Sequence, residues 1–234
     1  MCGRLVMSST PADFIDYLQS TGALGDISIK NAFKNSFIPR YNVAPGANIF
    51  AITNSRDEEG LEINMFKWGL VPHWAKDDSF GAKCFNARGE TMTTKPTFRE
   101  AFKKSRCIVL ADGYYEWKQS GYAGTTMKKY PYFIHNSNSS PMFLAGLYEL
   151  QTNSSAIITI EADSKMREIH HRRPAFIDVD SALNWLKPEA SQDDLLSIIQ
   201  RSSDKNIEAY TVSTLVNKSY LEGASLIEKT DSLF

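Results

Sequence analysis

The chain has 234 residues, of which 42% are hydrophobic and 23% are charged, the balance of an ordinary globular protein with room for a core. With 26 Lys and Arg residues against 27 Asp and Glu, the net charge of −1 excludes a global basic field. A nucleic-acid partner would therefore need a local basic patch. No apolar run approaches the roughly 20 residues that span a bilayer, and the first residues lack the apolar core of a signal peptide.

In chain order, the first predicted element is a helix in TPADFIDYLQS, where Thr10 is the N-cap, Pro11 lies in the first turn and Asp13 follows three residues after the cap. Short runs of β-forming residues then predict strands within SFIPRYNVAP, ANIFAIT and LEINMFKWGLVP. The segment TFREAFKK predicts a short helix over 97–104.

The segment RCIVLADGYYEW predicts a buried strand, a turn at Asp112 and Gly113, and a second strand. The polar, glycine-containing segment 119–129, QSGYAGTTMKK, predicts a solvated surface loop. Further strands are predicted in YPYFIHN, PMFLAGLYEL and SSAIITIEA.

Two helices follow: DSALNWLK, with Asp180 as its cap, and SQDDLLSIIQRSS, which starts with a capping box of Ser191 and Asp194. A late strand is predicted in NIEAYTVS. Many short strands with a few interleaved short helices predict a β-rich α+β fold, formed as a single domain over 1–234.

The three cysteines are Cys2, Cys84 and Cys107. Their odd number and the absence of a CxxC spacing argue against a disulfide framework or a zinc site, and favour a reducing compartment. We therefore expect a cytoplasmic protein without a cofactor, a bound metal or membrane association.

Cys2 is unusual because it directly follows the initiator Met1. A free cysteine is most often a small buried hydrophobe, and Cys2 alone favours that interpretation. Removal of Met1 would instead leave an α-amine and a thiol on adjacent carbons, with ordinary pKa values of about 7.7–8.0 and 8.5. The amine can form a Schiff base with an aldehyde, and the thiol can then close a five-membered thiazolidine.

Two further segments combine polar groups that suit catalysis. In CFNARGET, Asn86 and Arg88 would share one face of a strand, an arrangement that suits an anion or a carbonyl; a turn with a surface arginine fits equally well. In ADGYYEW, Glu116 is either a rim residue or a buried acid with a raised pKa that could shuttle protons.

The segment REIHHRRPAF contains two histidines, of which at most one is expected to enter a given site, because adjacent residues point to different faces. Pro174 favours an extended Arg173 and the end of any helix. Two interpretations stay open: a solvated helix end, or one histidine as acid or base beside an arginine that binds phosphate.

Aromatic and basic residues also interleave, as in KWGLVPHWAK with Trp68 and Trp74. Residues 95–106 hold five basic residues and one acidic residue. This combination is typical of single-stranded nucleic-acid binding, although core tryptophans and a solvated helix face are common alternatives.

The motifs MCGR, YNVAPG, KWGLVPHW, FNARGET, ADGYYEW and IHHRRP, in this order, resemble the successive signatures of the SOS response-associated peptidase (SRAP) family. The resemblance runs from Cys2 to the late TVSTLVN segment. It implies a single β-rich α+β domain built on a twisted, barrel-like sheet arrangement, with flanking short helices. It also implies a protein, expected to be a monomer, that crosslinks covalently to abasic sites in single-stranded DNA and is associated with the nucleoid while crosslinked.

The resemblance assigns roles residue by residue. Cys2 is the nucleophile, and the residues that complete the catalytic site are Asn86, Glu116 and His170. The residues implied to contact DNA are Arg4 and Arg88, which would hold phosphates, and Trp68 and Trp74, which would line or wedge the groove. His171 falls at a variable position of the motif, so the role is assigned to its neighbour.

The implied product is a thiazolidine that shields the lesion, and the resemblance leaves a lyase activity open as well. Two alternatives are kept. One is a cysteine-dependent peptidase or amidohydrolase that uses Cys2 and His170; it ranks low because only Met1 precedes Cys2. The other is a non-covalent reader of modified or single-stranded DNA.

Overall fold

A computed structural model describes residues 2–22, 29–31, 37–55, 60–123, 126–203 and 205–230. Within these ranges the chain forms short strands and a few short helices, so the predicted β-rich α+β class is confirmed. The strands are β1 (Leu5–Met7), β2 (Ile29–Asn31), β3 (Arg40–Val43), β4 (Asn48–Asn54), β5 (Leu61–Trp68), β6 (Asn86–Arg88), β7 (Arg106–Ala111), β8 (Gly113–Ala123), β9 (Thr126–Asn136), β10 (Met142–Glu149), β11 (Ser154–Glu161), β12 (Arg172–Pro174) and β13 (Ile207–Thr211). The α-helices are α1 (Pro11–Ser20), α2 (Arg99–Lys104), α3 (Ser164–Arg167), α4 (Val179–Leu186) and α5 (Gln192–Arg201).

The strands form two sheets. One has the order β13-β9-β8-β1-β3, and the other has the order β12-β11-β10-β7-β4-β5-β2, with β6 paired to β11. A parallel contact between β11 and β5 closes part of the larger sheet into a ring. The result is a twisted ring of strands rather than one clean barrel, consistent with the expected barrel-like arrangement.

Local capping chemistry places two helices as predicted. In α1 the Thr10 hydroxyl accepts from the Asp13 amide at 3.1 Å, and the Asp13 carboxylate accepts from the Thr10 amide at 2.7 Å. In α5 the Ser191 hydroxyl accepts from the Asp194 amide at 3.1 Å. The cap predicted for α4 was wrong by two residues: Asp178 is the N-cap and Asp180 lies inside the first turn.

The predicted turn at Asp112 and Gly113 does separate two strands, but they do not pair with each other. β7 pairs with β4 and β10 in the larger sheet, whereas β8 pairs with β1 and β9 in the smaller one. The Asp112 carboxylate fixes this corner by accepting hydrogen bonds from the amides of Ser8 and Ser9 at 2.5 and 2.8 Å. A Cβ at Gly113 would lie 2.4 Å from the Phe133 ring, so the crossing strand needs glycine there.

The predicted surface loop over 119–129 is wrong, because β8 continues to Ala123 and β9 begins at Thr126. These strands form a long hairpin with a register shift between Gln119 and Tyr122. Cross-strand hydrogen bonding, which composition does not encode, keeps this polar segment extended.

The described residues form two large apolar cores and a smaller cluster around Tyr115 and Phe133. One packs α1, α2, α4 and α5 against the larger sheet, around Trp185 and Phe102. The other lies inside the ring and includes Cys2, Trp68 and Tyr114. The amino terminus of the chain is therefore anchored in the interior. None of the described helices has the length and apolarity that crossing a lipid bilayer requires.

Candidate active site

Cys2 lies immediately before β1 and is completely buried. The side-chain amide of Asn86 donates to its carbonyl oxygen at 2.7 Å, and the backbone amide of Arg4 donates to its thiol. The short strand β1 is held between β8 and β3. The position of Cys2 is therefore fixed by the sheet on one side and by Asn86 on the other.

Asn86 begins β6, which runs parallel to β11 and pairs Asn86 with Ile157. Ala87 is buried on one face of this strand, so Asn86 and Arg88 share the other face, as predicted. The Nδ2 atom of Asn86 is used on Cys2, whereas its Oδ1 atom is buried without a hydrogen-bond partner among the described residues. This oxygen is therefore a buried acceptor on the residue that holds Cys2.

Glu116 lies on β8 and is only 3% exposed, which confirms the interpretation of this residue as a buried acid. Burial raises the pKa of its carboxyl group. Its Oε1 atom is 3.9 Å from the Nδ1 atom of His170. A carboxyl group that keeps its proton above the usual pH range can act as a general acid near neutrality.

His170 follows α3 and is half-buried, whereas His171 is exposed, with the two ring centroids 4.3 Å apart. Nδ1 of His170 lies 3.0 Å from both the amide nitrogen and the carbonyl oxygen of Arg172, and its tautomer decides which contact is the hydrogen bond. Burial lowers the pKa of His170, so the neutral imidazole is favoured. His170 thus lies beside Glu116, and the charge of His171 also acts on the Glu116 carboxyl group.

The Cys2 thiol is a poor acid in this environment. Burial raises its pKa most, ionisation of the nearby Glu116 would raise it further, and the Arg4 amide opposes this only in part. The sulfur is therefore held as a thiol rather than a thiolate. Activated cysteines of hydrolases show the opposite shift, a pKa lowered by a cation or a helix terminus.

A cavity of about 410 Å³ lies beside Glu116 and His170. The residues that line it are Glu116, Trp117, Gln119, Lys129, His170 and Asn217. The indole N–H of Trp117 donates to the Asn217 side-chain oxygen at 2.7 Å, and the Arg4 guanidinium lies 5.7 Å from the Trp117 ring centroid. The sequence reasoning missed Asn217 and Lys129. No local pattern marks them, since the strand pairing and the carboxyl-terminal segment bring them here.

The four residues expected to contact DNA lie in different environments. Arg88 is exposed, and Trp74 is 51% exposed with its ring edge against Phe80. Arg4 is partly buried, and its Nη1 atom donates to Asn42 at 2.5 Å and to the Val216 carbonyl at 2.8 Å. Contacts of Arg4, Arg88 and Trp74 with DNA stay predictions.

Trp68 requires a correction, because its side chain is fully buried and cannot line a DNA groove in this structure. Its indole N–H donates to the Phe85 carbonyl at 2.9 Å, and its ring meets the Phe85 ring edge-on. Trp68 thus holds the residue before Asn86, which makes it a support for the site rather than a contact surface.

The phosphate-binding role considered for the arginines of IHHRRP is also wrong. Arg172 is 8% exposed and pairs with Glu90 at 2.7 Å, and Arg173 is 1% exposed and pairs with Asp163 at 2.7 Å. Buried guanidinium groups must be paired within the protein, so neither is available to DNA. Arg106, counted in the basic segment 95–106, is likewise buried and donates to backbone carbonyls that include those of Phe102 and Trp185.

The sequence description of the family "SOS response associated peptidase (SRAP)" matches residues 1–219. The chain belongs to the SRAP family. The abasic site processing protein YoaM of Bacillus subtilis (strain 168) is 37% identical to it over 237 residues, which cover 97% of this chain and 98% of YoaM. The abasic site processing protein YedK of Escherichia coli (strain K12) is 30% identical over 236 residues, covering 97% of this SRAP chain and 99% of YedK.

A crystal structure of a Bacteroides thetaiotaomicron protein superposes on this SRAP chain with a TM-score of 0.75 at 25% identity, covering 98% of this chain and all of that one. A phage-related protein from Bordetella bronchiseptica superposes with a TM-score of 0.69 at 27% identity, covering 91% and 95%. The twisted ring of strands is therefore an arrangement shared with solved structures.

Proposed function

We propose that this SRAP protein recognises abasic sites in single-stranded DNA and forms a covalent thiazolidine with them through Cys2 after removal of Met1. The single observation that supports this most is the grouping of Cys2, Asn86 and Glu116. Cys2 is the one residue that can offer adjacent amine and thiol groups once Met1 is removed. The side-chain amide of Asn86 holds it, next to the buried carboxyl group of Glu116. The names of YoaM and YedK as abasic site processing proteins support the same substrate.

The first step is opening of the abasic deoxyribose from its closed hemiacetal to the aldehyde. In this proposal the neutral His170 imidazole accepts the hemiacetal proton and Glu116 donates a proton to the ring oxygen. The 3.9 Å between Glu116 Oε1 and His170 Nδ1 is too long for a direct hydrogen bond, so in this proposal a proton passes between them through one water molecule. The raised pKa of Glu116 and the lowered pKa of His170 favour this distribution of protons in the resting site.

In the second step the α-amine of Cys2 attacks C1′ to give a carbinolamine, which loses one water to give a Schiff base. Asn86 positions Cys2 through its carbonyl oxygen, and its unpartnered Oδ1 can accept a hydrogen bond from the attacking amine. Glu116 protonates the departing hydroxyl group. The Cys2 thiol then adds to the imine carbon and its proton passes to the nitrogen, which closes the thiazolidine ring. Because the imine is consumed, the DNA strand cannot be cleaved by β-elimination.

The thiol environment supports this route over a cysteine hydrolase. A hydrolase needs a thiolate as its first nucleophile, and the Cys2 pKa is raised by burial and by Glu116. In the proposed route the amine attacks first. The thiol acts second and within the same residue, where proximity compensates for weak nucleophilicity.

A single-stranded oligonucleotide with one abasic site tests the proposal on a denaturing gel with intact-mass analysis. We expect a crosslinked species whose mass equals protein without Met1 plus DNA minus one water. Cys2→Ala should abolish it and Cys2→Ser should lose the ring that makes it stable, whereas Cys84→Ala, at a half-buried cysteine whose nitrogen is an internal amide, should retain it. An undiminished crosslink with Cys2→Ala would refute the mechanism, and reversible salt-sensitive binding alone would favour a non-covalent reader.

A further inference from the structure

One wall of the cavity beside Glu116 comes from the hairpin of β8 and β9. Gln119 on β8 and Lys129 on β9 are cross-strand partners, and both line the same cavity as His170. Both residues are exposed. The hairpin therefore brings a flexible cation to a cavity that Glu116 and His170 also line.

Three arginines of this region are engaged within the protein, whereas Arg88 is exposed on β6. Arg172 and Arg173 are buried in ion pairs with Glu90 and Asp163. The Nη1 atom of Arg4 is bound to Asn42 and to a backbone carbonyl. Among the described residues that line the cavity, Lys129 alone is a lysine or an arginine.

An abasic site is a sugar without a base, with a phosphate on each side. A protein that draws this sugar towards Cys2 must bring a flanking phosphate to the mouth of the cavity, and desolvating that charge without a cation would be costly. A lysine ammonium on a flexible stem suits a phosphate whose position varies between sequences, since it acts as a point charge rather than a fixed fork. Gln119 and Asn217 can add neutral hydrogen bonds on either side.

We propose that Lys129 binds a phosphate of the DNA backbone next to the abasic sugar, and so determines how the lesion enters the cavity. The proposal rests on the proposed function for the identity of the ligand. It makes Lys129 a binding residue that leaves the chemical step to Cys2, Asn86, Glu116 and His170.

The chain contains a matched control for this role. Lys128 precedes Lys129 on β9 and is also exposed, but it is not among the residues that line the cavity. Lys128→Ala removes the same charge from the same hairpin without touching the cavity. Lys129→Arg keeps a cation at the proposed position, so recovery of the wild-type value with this variant separates charge from packing.

The experiment measures binding of a single-stranded oligonucleotide with a tetrahydrofuran abasic analogue, which has no aldehyde and cannot crosslink. Affinities are measured over a range of salt concentrations. Lys129→Ala should weaken binding about three- to fivefold at low salt and reduce the slope of log K against log salt by about 0.7, the value for one single-strand phosphate contact. Lys128→Ala should change the slope by less than half of that, and Lys129→Arg should keep the wild-type slope.

An unchanged slope with Lys129→Ala, or an equal loss with Lys128→Ala, would overturn the proposal. Because the analogue cannot crosslink, a failure of the Cys2 chemistry would appear in the crosslinking assay alone and leave the salt slopes interpretable.

Discussion

Replacing Asn86 with alanine would test how Cys2 is held. The substitution removes the Nδ2 donor 2.7 Å from the Cys2 carbonyl. Cys2 is completely buried, so water cannot replace this donor, and an unsatisfied buried acceptor costs about 1–3 kcal/mol. The reacting amine and thiol belong to the same residue. We therefore expect the cost to appear as misplacement of the nucleophile, lowering the first-order crosslinking rate about 5- to 150-fold.

The assay is a single-turnover time course on a denaturing gel, with protein in excess over an abasic oligonucleotide. Asn86→Asp keeps the shape but presents a carboxylate oxygen to the Cys2 carbonyl, so it should be at least as slow. Asn48→Ala, at an exposed asparagine on β4, is the matched control and should react at the wild-type rate. If Asn86→Ala reacts within twofold of wild type while both variants stay folded, the hydrogen bond does not position Cys2 and the argument fails.

Four further predictions concern the site and its support. Because burial raises the pKa of Glu116, the contribution of this residue to stability is present at low pH and is lost as pH rises through the raised pKa. In denaturant titrations the wild-type protein should therefore lose stability relative to Glu116→Gln as pH increases. Parallel stability curves of the two proteins would contradict this. Crosslinking should likewise slow as pH rises through that pKa, and a pH profile of Glu116→Gln should lack this limb. Arg88→Ala should weaken DNA binding and flatten its salt dependence, and an unchanged slope would remove Arg88 from the phosphate contacts. Arg173→Ala should lower the free energy of unfolding by about 2–3 kcal/mol in denaturant titrations, because the buried hydroxyl and carbonyl oxygens of Ser202 lose their donor. A loss under about 0.5 kcal/mol would contradict this and mean that other donors replace Arg173.

The helix caps and the folding of the hairpin show how far local sequence information extends. The caps of α1 and α5 were predicted correctly, because a hydroxyl and a carboxylate three residues apart satisfy the helix amides regardless of what surrounds them. The segment 119–129 was predicted wrongly, because its extended conformation depends on pairing between β8 and β9. The polar composition of this segment indicates exposure to solvent, but it does not indicate whether another strand pairs with it.

The candidate site shows the same division. The order of six motifs along the chain identified the family, and two of these motifs contain Cys2 and Glu116, which the structure buries. Tertiary structure decided which of the remaining candidates are accessible. It buries Trp68 and pairs Arg172 and Arg173 inside the protein, and it brings Lys129 and Asn217 to the cavity from distant segments. The type of a side chain determines which chemical roles it can perform. Its burial and its charge partners depend on contacts between elements far apart in the chain, and only the folded arrangement defines those contacts.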